Sequence, residues 1–438
     1  MVDDTAGRAA EAVSEAGPAG EAERAITRPN LLHVLVVALA VGVFSVVWLA
    51  VYSQGEHLIW ENSFVTANRW TIPVGVLFFS LLVGLAEKFL HAPNVVNGGI
   101  DEALKAEDVA TYKNFWGTLV SSLVSLWSGA SVGPEGPLAF LAVQISQWIA
   151  ARLKFGKQAA LLASIVGMSS AYNGVVGNPI FASLLATEAS GARNGMLLVG
   201  PSLVGGTVGF LLFTLLGVPP FANMLNVGTV TDLTLGLVAW AVVLGLVGAL
   251  VALYAAVAFR TLGRAMAVFK DRVIERALVA GLIIGAVCYF IPNLMFSGET
   301  QIHGIIANPA AIGLPMLLLM ALVKPLMLAL SLKSGYLGGP IFPALFSAIM
   351  VGLAISLLVP GLPLAVLVMC PAVGVTTLLL RAPLTAILLV SVMVGAGATP
   401  VMIGLIAVAA ATSLCVGIVL QRAQAQRAAQ AKPAATAA

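Results

Sequence analysis

The chain is a succession of apolar segments, at roughly 32–52, 72–90, 115–131, 138–152, 159–172, 179–190, 196–216, 233–258, 277–295, 312–331, 341–358, 362–380, 383–397 and 401–420, and several fall short of the ~20 residues that cross hydrocarbon. Lipid admits only helices and closed barrels, and short apolar runs separated by Gly and Pro predict helices that stop partway and meet near the bilayer midplane. Hydrophobic residues make up 60% of the 438 and charged ones only 9%, more apolar surface than a soluble core can hide. The fold class is therefore an all-α polytopic membrane protein built of tilted and half-spanning helices.

Against that background Gly133-Pro134-Glu135-Gly136-Pro137 stands out. A carboxylate at membrane depth is costly and marks a pathway more often than a structural need. Glycines let backbone amides approach a ligand, and Pro137 can open a helix at its first turn, predicted here over 138–152. A helix start presents free N–H groups and a positive dipole end, which together make an anion site. Glu135 is thus expected to compete with a permeating anion for that end. The structural alternative is a first-turn glutamate that only complements the dipole.

An internal duplication favours function. Gly133–Phe140 matches Gly338–Leu345 at an offset of 205 residues (133 to 338), and Asn178–Leu185 matches Ala382–Leu389 at 204 (179 to 383). More weakly, Asn97–Glu102 falls opposite Gln301–Gly304, just after Ser297-Gly298-Glu299. Two repeats with broken helices at equivalent places describe a transporter whose substrate binds between them. The division expected is a flexible tail over 1–28, a first membrane repeat over 29–216, a second over 217–420, and a tail over 421–438 that is either flexible or a short helical extension. No soluble domain is expected at either end.

These residues resemble the CLC family of chloride channels and chloride/proton antiporters. The family's three loops correspond to Asn97-Gly98-Gly99-Ile100-Asp101-Glu102, Gly133–Pro137 and Gly339-Pro340-Ile341-Phe342-Pro343, and Arg381–Thr385 is similar to a segment near its last helices. The resemblance covers roughly 30–420. It implies two inverted repeats per subunit, a homodimer, one pore per subunit, and transport of chloride or another monovalent anion across a lipid bilayer. By it Glu135 takes the place of the gating glutamate, with Gly98, Gly99, Ile100, Gly133, Gly136, Ile341 and Phe342 around the anion.

The departures shape the expectation. Gly98 stands where the family has a serine hydroxyl, Pro340 lacks an N–H where a donor belongs, and 401–421 holds no counterpart of the pore tyrosine. Tyr172 and Tyr336 are the candidate stand-ins, with packing as the alternative role. Discrimination among anions should be weak. Ala189 occupies the position of the antiporters' inner proton-relay glutamate, and its neighbour Glu188 points ~100° round the helix. Glu188 is either a proton path or an interfacial partner of Arg193, and proton coupling is expected to be weak or absent, with a chloride/proton antiporter as the alternative.

Other classes fit less well. Gly129-Ala130-Ser131 bears a faint likeness to the loop of an intramembrane serine protease, but Val132 follows and both His91 and His303 lie beside loop signals. A transporter of organic substrates would need more midplane charge. Net charge is +3 with no basic patch for nucleic acid, and the scattered Cys288, Cys370 and Cys415 and four histidines suggest no metal; no cofactor is expected. The basic linker from Arg260 through Arg264, Lys270, Arg272 and Arg276 should be cytoplasmic, with both termini on the same side of a bacterial plasma membrane.

Overall fold

A computed structural model describes residues 30–91, 114–190, 192–221 and 224–431. The expected tail over 1–28 and the loop with Gly98, Gly99 and Ile100 lie outside them. The first repeat holds α1 (Leu31–Trp60), α2 (Ser63–Ala67), α3 (Thr71–Leu90), α4 (Phe115–Trp127), α5 (Glu135–Arg152), α6 (Lys157–Val176), α7 (Phe181–Ser190) and α8 (Ala192–Leu215). The second holds α9 (Leu235–Met266), α10 (Val273–Phe290), α11 (Glu299–Ala307), α12 (Pro309–Ile312), α13 (Leu314–Lys333), α14 (Ile341–Leu358), α15 (Leu364–Leu380), α16 (Pro383–Val394) and α17 (Pro400–Ala431). Thus α17 runs past residue 420, to Ala431. Among the described residues 9 helices are long and apolar enough to cross a membrane, as expected of a multi-pass integral membrane protein.

The duplication is visible in the packing. Helix α1 packs on α6 and α8, and its counterpart α9 packs on α15 and α17; α5 lies on α6 as α14 lies on α15. Both α5 and α14 have 18 residues and begin 206 apart, at 135 and 341, one residue more than the offset of 205 read from the sequence, so that Glu135 falls opposite Ile341 and not Pro340. Equivalent helices also meet across the repeats, α3 against α10 and α7 against α16. Short helices do what their length dictates: the 13 residues of α4 rise only ~20 Å, against a ~30 Å hydrocarbon core. Its end can therefore turn into the loop that carries Glu135.

Among the described residues, several polar contacts that join the halves are buried or partly buried. Arg276 Nη2 donates to both oxygens of Glu87 at 2.6 and 2.5 Å, tying α10 to α3. Arg276 is only 5% exposed, so it is a helix-pairing residue and not one of the free linker charges it was grouped with. Tyr336 Oη donates to Ser80 Oγ at 2.6 Å and lies near the Ala277 carbonyl, 3.2 Å away. Its hydroxyl belongs to the α3–α10 seam. Pro325 inside α13 has no N–H for the Ala321 carbonyl four residues earlier, and Ser347 Oγ of α14 donates to that oxygen instead.

Candidate functional site

The loop 128–134 and the loop 334–340 meet as the two halves of a single bridge. Gly133 N donates to Gly339 O at 2.8 Å, and Gly339 N donates to Gly133 O at 2.7 Å. Among the described residues this antiparallel pair is isolated from any strand. A Cβ on either glycine would run into the Glu135 carboxylate, and one on Gly136 would lie 2.9 Å from Gly338 O. These positions are bare because the loops and the carboxylate need the space. Leu337 N, donating to Ser125 Oγ at 2.9 Å, holds the second loop on α4.

Helix α5 begins at Glu135, not at 138 as the sequence predicts. Pro137 does not open the helix; it sits at the third position, where its missing N–H is one of the first-turn groups that lack an intrahelical partner anyway. Glu135 is 4% exposed. Its Oε1 accepts from Ile341 N at 2.7 Å, and the Phe342 amide faces the same carboxylate. These are the first amides of α14, the helix start of the opposite repeat. Ile341 and Phe342, expected to cap an anion, face the carboxylate. Oε2 is sealed from solvent and has no hydrogen-bond partner among the described residues.

Of the two tyrosines considered as stand-ins, Tyr172 lies within electrostatic reach of Glu135. It is 8% exposed and packs edge-on against Phe181, ring centroids 6.1 Å apart. Phe342 is 3% exposed and packs on Phe221 at 4.4 Å, so the start of α14 is lined by aromatic rings.

Glu188 is engaged elsewhere. Its Oε1 accepts from Leu384 N at 2.9 Å, and its Oε2 from Thr385 N and Thr385 Oγ1, both at 2.7 Å. A carboxylate from α7 therefore caps the start of α16, its counterpart in the other repeat. The side chain of Arg193, its expected partner, lies outside the described residues.

One further group was not singled out from the sequence. Lys324, 0% exposed in α13, donates toward the carbonyls of Leu294, Met295 and Phe296 at 3.1, 3.3 and 2.7 Å. Its ammonium also lies 4.8 Å from the Phe346 ring centre. The signal that would have found it is simple: an ionisable residue inside the apolar run 312–331.

A family model described as voltage gated chloride channel matches residues 85–415. A protein of Escherichia coli O1:K1 that bears the name ion-transport protein YfeO is 25% identical over 366 residues, covering 80% of this chain and 86% of its own. A counterpart in Shigella sonnei is 23% identical over the same shares. Among solved structures, a slow cyanobacterial Cl−/H+ antiporter superposes with TM-score 0.73 at 19% identity, covering 91% of this chain and 99% of that one. A CLC-type fluoride/proton antiporter superposes with TM-score 0.71 at 17% identity, covering 87% and 94%.

Proposed function

Because the chain belongs to the voltage-gated chloride channel (CLC) family of anion transporters, we propose that it carries chloride or another monovalent anion along a path that Glu135 closes. The observation that carries this reading is the Glu135 carboxylate on the Ile341 amide, at a helix start where an anion would sit. Carboxylate and permeating anion need the same N–H groups, so one excludes the other. Protonating Glu135 removes its charge and its hold on those amides, and the anion takes the place. The loop around Gly98, Gly99 and Ile100, with Gly133 and Gly136, completes the anion's surroundings in this proposal. With glycine where a hydroxyl is usual, the path grips every monovalent anion loosely.

Coupling to protons is weak in this reading. Ala189 cannot bind a proton, and Glu188 is anchored by three bonds to α16. A chloride/proton antiporter is the second reading, favoured by both solved neighbours being antiporters by name. The protein works as a homodimer in a bacterial plasma membrane, with both termini and the 260–272 linker on the cytoplasmic side. Reversal potentials in reconstituted vesicles under crossed anion and proton gradients test this. A potential that follows the anion gradient alone supports it; a fixed proton-to-anion ratio replaces it with the antiporter; silence to both gradients rejects it.

A further inference from the structure

At the end of the bundle away from the 260–272 linker, three segments are knitted together beside Glu135. Trp60 Nε1, at the end of α1, donates to Trp127 O at 2.8 Å, and Trp127 Nε1 donates to Tyr52 O at 2.9 Å. Phe296 N donates to Gly129 O at 3.2 Å, and the Trp60 and Phe296 rings lie 5.9 Å apart. The last turns of α1, the loop that leads to Glu135 and the loop that leads into α11 thus hold one another. Each brings a carboxylate: Glu56, Glu135 and Glu299.

Among the described residues none of the three forms an ion pair with a cation. Lys324 stands near Glu299, but three backbone carbonyls surround its ammonium, and Glu299 forms no ion pair among the described residues. Among the described residues Glu299 Oε2 is sealed from solvent without a hydrogen-bond partner, as is Oε2 of the 4% exposed Glu135. Glu56 shares a side-chain hydrogen bond with Tyr52, which is 7% exposed. Glu299 lies within electrostatic reach of both Glu56 and Glu135. Carboxylates within such reach in a low dielectric repel one another. The three do not converge tightly enough to hold a metal.

We propose that Glu56 and Glu299, with the Tyr52 hydroxyl, form an outer proton store that loads Glu135. A proton from the outer solution binds the Glu56–Glu299 group and passes to Glu135 Oε2. The donor returns to carboxylate, Glu135 becomes the neutral acid, and an anion replaces it at the Ile341 amide. The proton leaves by the same route, so the store sets when the path opens without carrying protons across. It rests on the proposed role of Glu135 and deepens it. The remaining groups nearby are Glu61, whose carboxylate lies 2.6 Å from His57 Nδ1, Cys288 beside Lys324, and Tyr172 within reach of Glu135.

The test compares wild type with Glu299→Gln, Glu56→Gln and Glu135→Gln, each shown monodisperse in detergent. Chloride efflux is read against outer pH and normalised to each variant's own maximum. Alongside, the infrared absorption of protonated carboxyls is titrated in the same preparations. Glu299→Gln and Glu56→Gln should each shift the midpoint by about one pH unit or more, a tenfold change in proton affinity, and make the rise shallower. The infrared titration should lose one carboxyl and shift the others. Efflux curves and carboxyl titrations that superimpose on wild type in both variants overturn the proposal. If Glu299→Gln does not fold, Glu56→Gln, on a different element, decides it. The infrared arm needs no transport: coupled carboxyls in a protein that passes no anion would sink the transport reading and leave the proton store standing.

Discussion

Gly133 and Gly339 exchange two backbone hydrogen bonds, of 2.8 and 2.7 Å, and in doing so place the Glu135 carboxylate of one repeat on the helix start of the other. Substituting either glycine tests the closeness of that fit. In Gly339→Ala the new Cβ occupies the space of the Glu135 carboxylate, and the flexible acid side chain yields more readily than the paired backbone. We expect efflux at neutral pH to rise toward the value of a variant without the carboxylate. Efflux equal to wild type in a folded Gly339→Ala would show that the carboxylate is not held there.

Glu135→Gln keeps volume and removes charge. On the gating proposal it leaves flux intact or faster and flat with pH, because no proton is needed to release the amides. The sign is fixed: in wild type, lower outer pH means more neutral Glu135 and more flux. A purely structural glutamate predicts the reverse, since a lost helix-start charge costs ~0.3–1 kcal/mol at an exposed end and more when buried. Folded yield and flux would then fall together with pH dependence kept.

Glu188→Ala separates a cap from a proton path. Removing the carboxylate orphans two amides and a hydroxyl at the start of α16, and hydrogen bonds to charged groups are worth ~1.5–3 kcal/mol each. Thermal stability should drop while the flux–pH curve keeps its midpoint. A variant as stable as wild type with altered proton movement would restore Glu188 as a relay.

Chloride, bromide and nitrate efflux should agree within about tenfold, that is ~1.4 kcal/mol, because glycine at 98 and proline at 340 leave few fixed donors. Gly98→Ser should sharpen the ranking by adding a hydroxyl. A hundredfold preference for one anion in wild type would mean a donor elsewhere grips it, with the nearby Tyr172 hydroxyl the first to remove.

Lys324 offers a test of the outer loop. Lys324→Met keeps the length of the side chain but leaves the carbonyls of 294–296 without their donor, at ~1–3 kcal/mol for each group left buried. Folded yield should collapse in Lys324→Met and largely recover in Lys324→Arg. Unchanged yield in both would remove Lys324 as the anchor of that loop.

The chain's legibility divides along the range of the interactions. The repeat spacing could be read because proline and glycine breaks act locally and recur at matched positions, and Glu135 because an acid in an apolar run is conspicuous. The start of α5 was misplaced because a proline is tolerated throughout a first turn, so Pro137 could not fix the boundary. Glu188 and Thr385 are 197 residues apart, and nothing local to either announces the other. Arg276 looked like a linker charge for the same reason: its partner Glu87 is 189 residues away. The group of Glu56, Glu299 and Lys324 draws on three segments, and only the fold brings them together.

The residues at 135 and 341 occupy the same place in the two repeats, each opening an 18-residue helix, yet one is an acid and the other an isoleucine. On the gating proposal that inequality is what makes a latch. Were both acids, two carboxylates would face each other across the glycine pair and neither could claim the opposite amides without repulsion. Were both isoleucine, two helix starts would stand open and nothing of the chain's own would dislodge a bound anion. Near-twofold architecture supplies the two matching sockets, and a single side chain decides which of them carries the plug.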